Sequence, residues 1–236
     1  MSDLIVYKSN TLIEASYKLT LQEQRFLLVC ISRLKSGDNA PHPDEQKKMI
    51  ITASEFYEAF PDMGREHAER RLQEAIDRLW DRTIIIRNND NSKREKFRWI
   101  QYQAEYLKGE ASVEIIFSDA IMPYLTQLKG QFTRVFLKEV SRLSGTYSIR
   151  IYELLQQFRN TGERTISLDD FRSILELEGK YVDFKVLNRD LIKPAIAELN
   201  EKSDLAVTVE MVKKGRSVVA LRFKFKEDKQ IQIKYK

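Results

Sequence analysis

The chain has 236 residues, 42% of them hydrophobic and 32% charged, which suits two modest hydrophobic cores better than one large core. No apolar run approaches the roughly eighteen residues that span a bilayer, and the N-terminus lacks a secretory signal, so we expect a cytoplasmic protein with no membrane partner. The net charge of +5 is compatible with a polyanionic partner, but only the placement of the charge can identify one.

The first half of the chain carries a series of helix and strand signals. Thr20 with Glu23, and Thr52 with Glu55, have the spacing of capping boxes, in which a hydroxyl and a carboxylate satisfy the first amides of a helix. Apolar periodicity and β-branched runs indicate the remaining elements. In chain order we predict a helix over 21–35, a strand over 49–51, helices over 52–60 and 65–82, hairpin strands over 83–86 and 97–100, and a strand over 112–117 that completes the sheet.

The second half repeats this order. The same pattern of an isoleucine, a hydroxyl residue and a phenylalanine occurs in both halves. It consists of Ile51, Thr52 and Phe56 in the first half and of Ile166, Ser167 and Phe171 in the second. The predicted elements are a helix over 147–159, a strand over 165–166, helices over 167–177 and 184–199, and a hairpin over 205–212 and 218–225. We therefore predict an α+β fold of two tandem winged-helix domains related by internal duplication, covering residues 1–129 and 130–236.

Charge placement in the second domain points to DNA. Lys185, Arg189 and Lys193 follow one another at helical spacing, and Asn188 borders them. A winged helix normally places its third helix in the major groove, where arginine can bond guanine and asparagine can bond adenine bidentately, while lysine neutralises phosphate. An ordinary solvated basic face is the alternative. The cations of the adjacent hairpin loop favour DNA binding over a solvated face. We predict that Lys213, Lys214 and Arg216 contact the DNA backbone.

The first domain carries a weaker version of this pattern. Its third helix begins with Arg65, Arg70 and Arg71, but interleaved glutamates partly cancel their charge. We therefore expect mainly phosphate contacts from these three residues. Arg94 lies in the predicted hairpin of this domain, where it is either a DNA contact or a solvated hairpin charge.

No catalytic constellation is evident. The two histidines, His42 and His67, cannot form a metal-binding pair of the H-x-H or H-E-x-x-H kind, and the single cysteine, Cys30, lies in an apolar helical run. No Walker loop occurs. The string from His67 to Arg70 matches the H-x-x-R of tyrosine recombinases, but so short a string arises by chance. We expect no enzyme activity, metal or cofactor.

Four motifs in order resemble the iteron-binding plasmid replication initiators, the Rep superfamily with two winged-helix domains. The resemblance extends from about Val6 to Phe225. The motifs are Lys8-Ser9-Asn10, Leu12-Ile13, Ala15, Leu19-Thr20 and Glu23-Gln24-Arg25; then Tyr147-Ser148, Arg150 and Tyr152-Glu153-Leu154-Leu155; then Phe184-Lys185 with Pro194-Ala195-Ile196; and then Glu198-Leu199-Asn200 with Ser203-Asp204-Leu205.

The resemblance implies functions that the residues alone do not show. Such proteins bind directly repeated origin sequences as monomers, help to open the adjacent duplex, and recruit the host initiator and helicase. As dimers they bind an inverted operator and repress their own gene. By this analogy the main base contacts come from Lys185, Asn188, Arg189 and Lys193, while the first domain contacts the DNA backbone and supplies the dimer surface. Val186 and Asp190 depart from a strongly basic recognition helix.

Two other functions remain open at this point. A winged-helix transcriptional regulator without an initiation role would share every feature derived from the residues. A strand-cleaving recombinase or relaxase would use a tyrosine nucleophile, for which Tyr124, Tyr147 and Tyr235 are the candidates.

Overall fold

The computed structural model describes residues 4–36, 40–87, 92–106, 111–128 and 131–227. The chain divides into two compact units, Met1–Ser141 and Arg142–Lys236. We expected the division after residue 129. It falls later because the strand β7 (Phe132–Phe136) pairs antiparallel with β1 (Ile5–Ser9), which places it in the first unit. No helix in the described ranges is both long and apolar enough to cross a membrane.

The first unit contains both predicted capping boxes. Thr20 and Glu23 cap one helix and Thr52 and Glu55 cap another, with hydroxyl and carboxylate each bonded to a backbone amide. The elements before β7 are β1, α1 (Asn10–Ile13), α2 (Leu21–Ser32), α3 (Pro43–Gln46), β2 (Lys48–Thr52), α4 (Ala53–Ala59), 3₁₀ turns at Pro61–Met63 and Arg65–His67, α5 (Ala68–Leu79), β3 (Thr83–Arg87), β4 (Arg94–Arg98), β5 (Ile100–Tyr106), β6 (Ser112–Phe117) and α6 (Met122–Thr126); α7 (Leu137–Val140) follows β7.

The strand pairing of the first unit differs from the predicted single sheet. β2, β6 and β5 form a three-stranded antiparallel sheet in that order, whereas β3 and β4 form a separate antiparallel pair, to which Ser16 adds a single bridge at Ile85. The chain leaves one sheet for the other at Trp99 and Ile100. Both are buried, and two consecutive buried side chains break the alternation that a single strand requires. The apolar run that we assigned to one hairpin strand is therefore split between two sheets.

The second unit contains the same core of elements without the additional hairpin. Its elements are α8 (Thr146–Gln156), β8 (Glu163–Ser167), α9 (Leu168–Ile174), α10 (Phe184–Leu187), a π turn at Asn188–Ile192, α11 (Lys193–Lys202), β9 (Leu205–Lys214) and β10 (Ser217–Glu227). The sheet order is β8, β10, β9. This order matches β2, β6, β5, so β9 and β10 correspond to β5 and β6. The prediction of two winged helices is confirmed, and the wing of the first unit is the β5–β6 hairpin, not the β3–β4 hairpin as predicted.

Candidate nucleic-acid interface

The recognition helix of the second unit, residues 184–202, is interrupted by a π turn. The amide of Lys193 donates to the carbonyl of Asn188, five residues back, instead of four. Pro194 explains the change, because its ring would clash with the carbonyl of Asp190 in a regular α-helix and it has no amide hydrogen to donate. The wider turn relieves the clash. It also rotates the following residues about the helix axis, away from the positions that regular α-helical spacing predicts.

The three predicted cations of this helix are exposed despite the shift. Lys185, Arg189 and Lys193 all lie on the solvent side. Among the described residues, neither Lys185 nor Lys193 has an ion-pair partner. Asn188 is different, because it is only partly exposed and its Oδ1 atom is buried without a hydrogen-bond partner in the described part of the chain. Bidentate bonding to adenine needs both amide atoms of an asparagine, so Asn188 must rotate to supply its oxygen.

Arg189 is held by its sequence neighbour. Its Nε and Nη2 atoms lie 2.5 and 2.8 Å from the two carboxylate oxygens of Asp190, and the arginine side chain is 72% exposed. The hydrogen bonds of this pair raise the pKa of Arg189 and lower the pKa of Asp190. A guanine edge would use the same guanidinium fork. A guanine would therefore have to displace Asp190 to bind Arg189 through this fork.

The wing of the second unit, the β9–β10 hairpin, ends in a two-residue turn. Lys214 pairs with Ser217, and Gly215 takes the first central position with φ 62°. A positive φ there is the requirement of a type II′ turn, which suits the twist of a hairpin. The three cations predicted to contact the DNA backbone are all exposed at this tip, namely Lys213, Lys214 and Arg216.

The tip cations differ from two other cations of the same sheet, which are paired with glutamates. Lys224 lies 2.8 Å from Glu210, and Arg222 lies within 3.5 Å of Glu163. None of the three cations at the tip has such a partner among the residues that the structure describes. Three positive charges of the wing without such partners are therefore grouped at its end, where they suit a phosphate.

The recognition helix is anchored by Glu198. Its carboxylate accepts hydrogen bonds from the amides of Ser144 and Gly145, at 2.8 and 3.0 Å, at the start of α8. Burial opposes the charge, but the hydroxyls of Ser148 and Ser144 together with these amides outweigh it and lower the pKa of Glu198 to about 2. Sequence reasoning missed this role. One feature could have indicated it: Gly145, at the N-cap of α8, has no side chain to cap the helix, so another residue must do so.

The last motif of the resemblance fixes the far end of the recognition helix. Asn200 donates to and accepts from the backbone of Val207 in β9, at 3.0 and 2.6 Å. The buried carboxylate of Asp204 accepts hydrogen bonds from Tyr152 and Arg159 at 2.8 and 2.7 Å. These contacts join the helix, the wing and α8. The motif residues therefore hold the predicted recognition helix in place, while the exposed cations are the candidates for contact with DNA.

In the first unit, the predicted cations are distributed over two elements. Arg65 lies exposed in a 3₁₀ turn, Arg71 is partly exposed on α5, and Arg70 lies 2.9 Å from Glu74. The last contact agrees with the expected cancellation by interleaved glutamates. Arg94 is exposed on β4, opposite Arg87, and so lies on the additional hairpin and not on the wing. The tip of that hairpin, residues 88–91, lies outside the described residues.

Two of the candidate tyrosine nucleophiles can be assessed. Tyr124 stacks on Phe97 with ring centroids 5.9 Å apart, and burial raises its pKa. Burial also raises the pKa of Tyr147. Activation of a nucleophile requires the opposite shift or an adjacent base. Tyr235 lies outside the described residues. Within the described ranges, no three histidine, cysteine, aspartate or glutamate residues are grouped so as to hold a metal.

Comparison with known proteins gives two family matches and several relatives. The model of "Initiator Replication protein, WH1" matches residues 5–156, and that of "Initiator Rep protein, WH2" matches residues 167–225. A replication initiation protein of Escherichia coli is 33% identical over 238 residues, which cover 99% of this chain and 73% of the relative. A PI protein of Escherichia coli is 26% identical over 93% of this chain and 81% of the relative.

A solved structure has the same fold. The Pi initiator protein in complex with iteron DNA is similar with a TM-score of 0.79 and 23% sequence identity, over 97% of this chain and 99% of that chain. The two family matches correspond to the two winged helices in the order that the sequence predicted. The chain therefore belongs to the family of initiator replication proteins, the plasmid replication initiators built from two winged-helix domains.

Proposed function

We propose that this plasmid replication initiator binds directly repeated double-stranded sequences, or iterons, at its origin as a monomer. The recognition helix of the second unit enters the major groove, and the tip of its wing contacts phosphate. The observation that carries the proposal is a group of exposed cations on the predicted recognition helix and the wing tip that have no acidic partners among the described residues, namely Lys185, Lys193, Lys213, Lys214 and Arg216. The solved Pi initiator, which has the same fold, is bound to iteron DNA and supports the same class of ligand.

Arg189 and Asn188 have the chemistry for base contacts in this arrangement. Arg189 exchanges Asp190 for the acceptor edge of a guanine, and Asn188 rotates to present both of its amide atoms to an adenine. The lysines neutralise phosphate and supply most of the affinity common to all sequences. Arg65, Arg70, Arg71 and Arg94 of the first unit add phosphate contacts, weakened at Arg70 by Glu74.

We infer the remaining roles from the resemblance to the iteron-binding initiators. Bound to iterons, the monomer promotes opening of the adjacent duplex and recruits the host initiator and helicase in the cytoplasm. A homodimer in equilibrium with this monomer represses the initiator's own gene, and the first unit supplies the dimer surface. We infer that the protein acts by binding DNA, as expected of a replication initiator, and not by catalysis.

Footprinting on the DNA that flanks the gene, across a series of salt concentrations, tests the proposal. We expect protection of several direct repeats spaced by about two helical turns, or roughly 20 base pairs, with affinity falling steeply as salt rises. Protection of a single inverted repeat, together with plasmid replication that does not need the protein, would instead identify a transcriptional regulator. Absence of specific protection would overturn the assignment of DNA recognition.

A further inference from the structure

The turn before the recognition helix presents a hydrophobic side chain to solvent. Val182 is 84% exposed, whereas the other exposed large hydrophobic side chains among the described residues have exposed fractions between 37% and 44%. Val182 immediately precedes Asp183, the N-cap residue of α10. Exposure of a single valine is ordinary on a protein surface, but this one occupies the end of the helix that enters the major groove.

Hydrogen bonds hold this turn in one conformation. The guanidinium of Arg172, on α9, donates to the carbonyls of Lys180, Tyr181 and Val182 at 3.2, 2.7 and 3.3 Å. On the other side, the carboxylate of Asp183 accepts a hydrogen bond from the amide of Lys185 at 2.7 Å. Val182 is thus fixed between an arginine clamp and a helix cap, and binding a ligand would cost little ordering of the backbone.

Backbone strain at the neighbouring residue indicates a constrained position. Tyr181 has φ 50°, in the left-handed region that residues other than glycine rarely adopt. Such strain persists where the surroundings impose it, and it is common at ligand-binding sites. Here it directs the chain so that Val182 points away from the core while Tyr181 remains partly buried.

The chemistry of the surroundings identifies the ligand. Lys180 and Lys185 lie on either side of Val182 and are exposed, which suits a polyanion better than an apolar partner. In the major groove the apolar feature of the base edges is the C5 methyl group of thymine. We propose that Val182 recognises a thymine by packing against its C5 methyl group. The inference rests on the proposed function, since it requires the recognition helix in the major groove.

Replacement of thymine by deoxyuridine tests the inference, because it removes only that methyl group. The full chain is first used to select duplexes from a random library, and each thymine of the selected site is then replaced in turn. For the wild-type protein, one replacement should weaken binding about fourfold, the value of one buried methyl group. For Val182→Ala the same replacement should change binding by less than about 1.5-fold. Leu4→Ala, which truncates another exposed hydrophobic side chain, should behave as wild type.

The possible results separate the two proposals. Because Val182 is mostly exposed, Val182→Ala should leave the fold intact, and a thermal melt equal to that of wild type checks this. Equal sensitivity of wild type and Val182→Ala to every replacement would overturn the thymine contact while leaving DNA recognition in place. Failure of the wild-type chain to enrich any sequence would overturn both.

Discussion

The carboxylate of Glu198 accepts a hydrogen bond from the amide of Gly145 at 3.0 Å and so caps α8 from the recognition helix. A Cβ atom on Gly145 would lie 2.7 Å from a carboxylate oxygen of Glu198, so glycine permits this approach. The contact ties the helix proposed to bind DNA to the first helix of the same domain.

Glu198→Gln should lower the free energy of unfolding by about 1 to 2 kcal/mol at pH 7, because an ionised cap becomes neutral. The pKa of Glu198 falls from the ordinary value of 4.5 to about 2 on folding. Its contribution is therefore complete above pH 4.5 and is lost as the pH falls toward 2. Urea unfolding of both proteins between pH 7 and pH 2 should show the difference shrinking across that interval. A difference independent of pH would show that the charge of Glu198 is not the cause.

Arg189→Ala should weaken binding to the selected site by roughly tenfold to a hundredfold and relax the preference at one base pair. Binding to random DNA should fall much less, since the lysines of the helix and wing remain. Competition titrations with single-base variants of the site measure both effects. Equal losses on specific and random DNA would remove Arg189 from the residues that contact bases.

Asp190→Asn should tighten binding to random-sequence DNA by about three- to tenfold. The substitution removes a negative charge from the DNA-facing side and frees the guanidinium of Arg189, which Asp190 holds at 2.5 Å. The ratio of specific to random affinity should fall, because Arg189 becomes available to any phosphate. Fluorescence anisotropy with specific and random duplexes at one salt concentration provides the test. Unchanged affinity for random DNA would show that the pair does not restrain Arg189.

Lys213→Gln and Lys214→Gln should each weaken binding to all sequences and reduce the slope of log affinity against log salt by about one. Lys224→Gln is the matched control, because Lys224 lies on the same hairpin but is paired with Glu210 at 2.8 Å. Its slope should change by less than half as much. Equal changes in all three variants would indicate a general effect of net charge, not contacts at the tip.

Local sequence signals predicted much of the fold. The capping boxes at Thr20 and Thr52 depend on residues three apart, and the hairpin of the second unit depends on a turn around Gly215. These interactions join residues that are close in sequence, so residue type and spacing are enough to predict them. The order of helices and strands then sufficed for the winged-helix assignment.

Contacts between distant residues account for the errors. The run ending in Trp99 and Ile100 has strand character throughout, but its division between two sheets depends on which partners bury each side chain. Glu198 caps a helix that begins more than fifty residues earlier, and no local pattern announces such a contact. The candidate site residues were predicted from residue type and helical spacing, whereas the contact of Asp190 with Arg189 required the structure.

The two strands of the β1–β7 pair belong to one chain, so they cannot dissociate from each other as separate subunits can. Each strand precedes a short helix and then the first long helix of a winged helix, and Tyr7 lies opposite Arg134 at the centre of the antiparallel pair. If the two strands belonged to separate subunits, the subunits would dissociate when the protein is diluted. Here a single polypeptide supplies both, so lowering the protein concentration cannot separate them. An expressed N-terminal fragment would need to continue through at least Phe136 to retain this pairing, and the compact unit extends to Ser141.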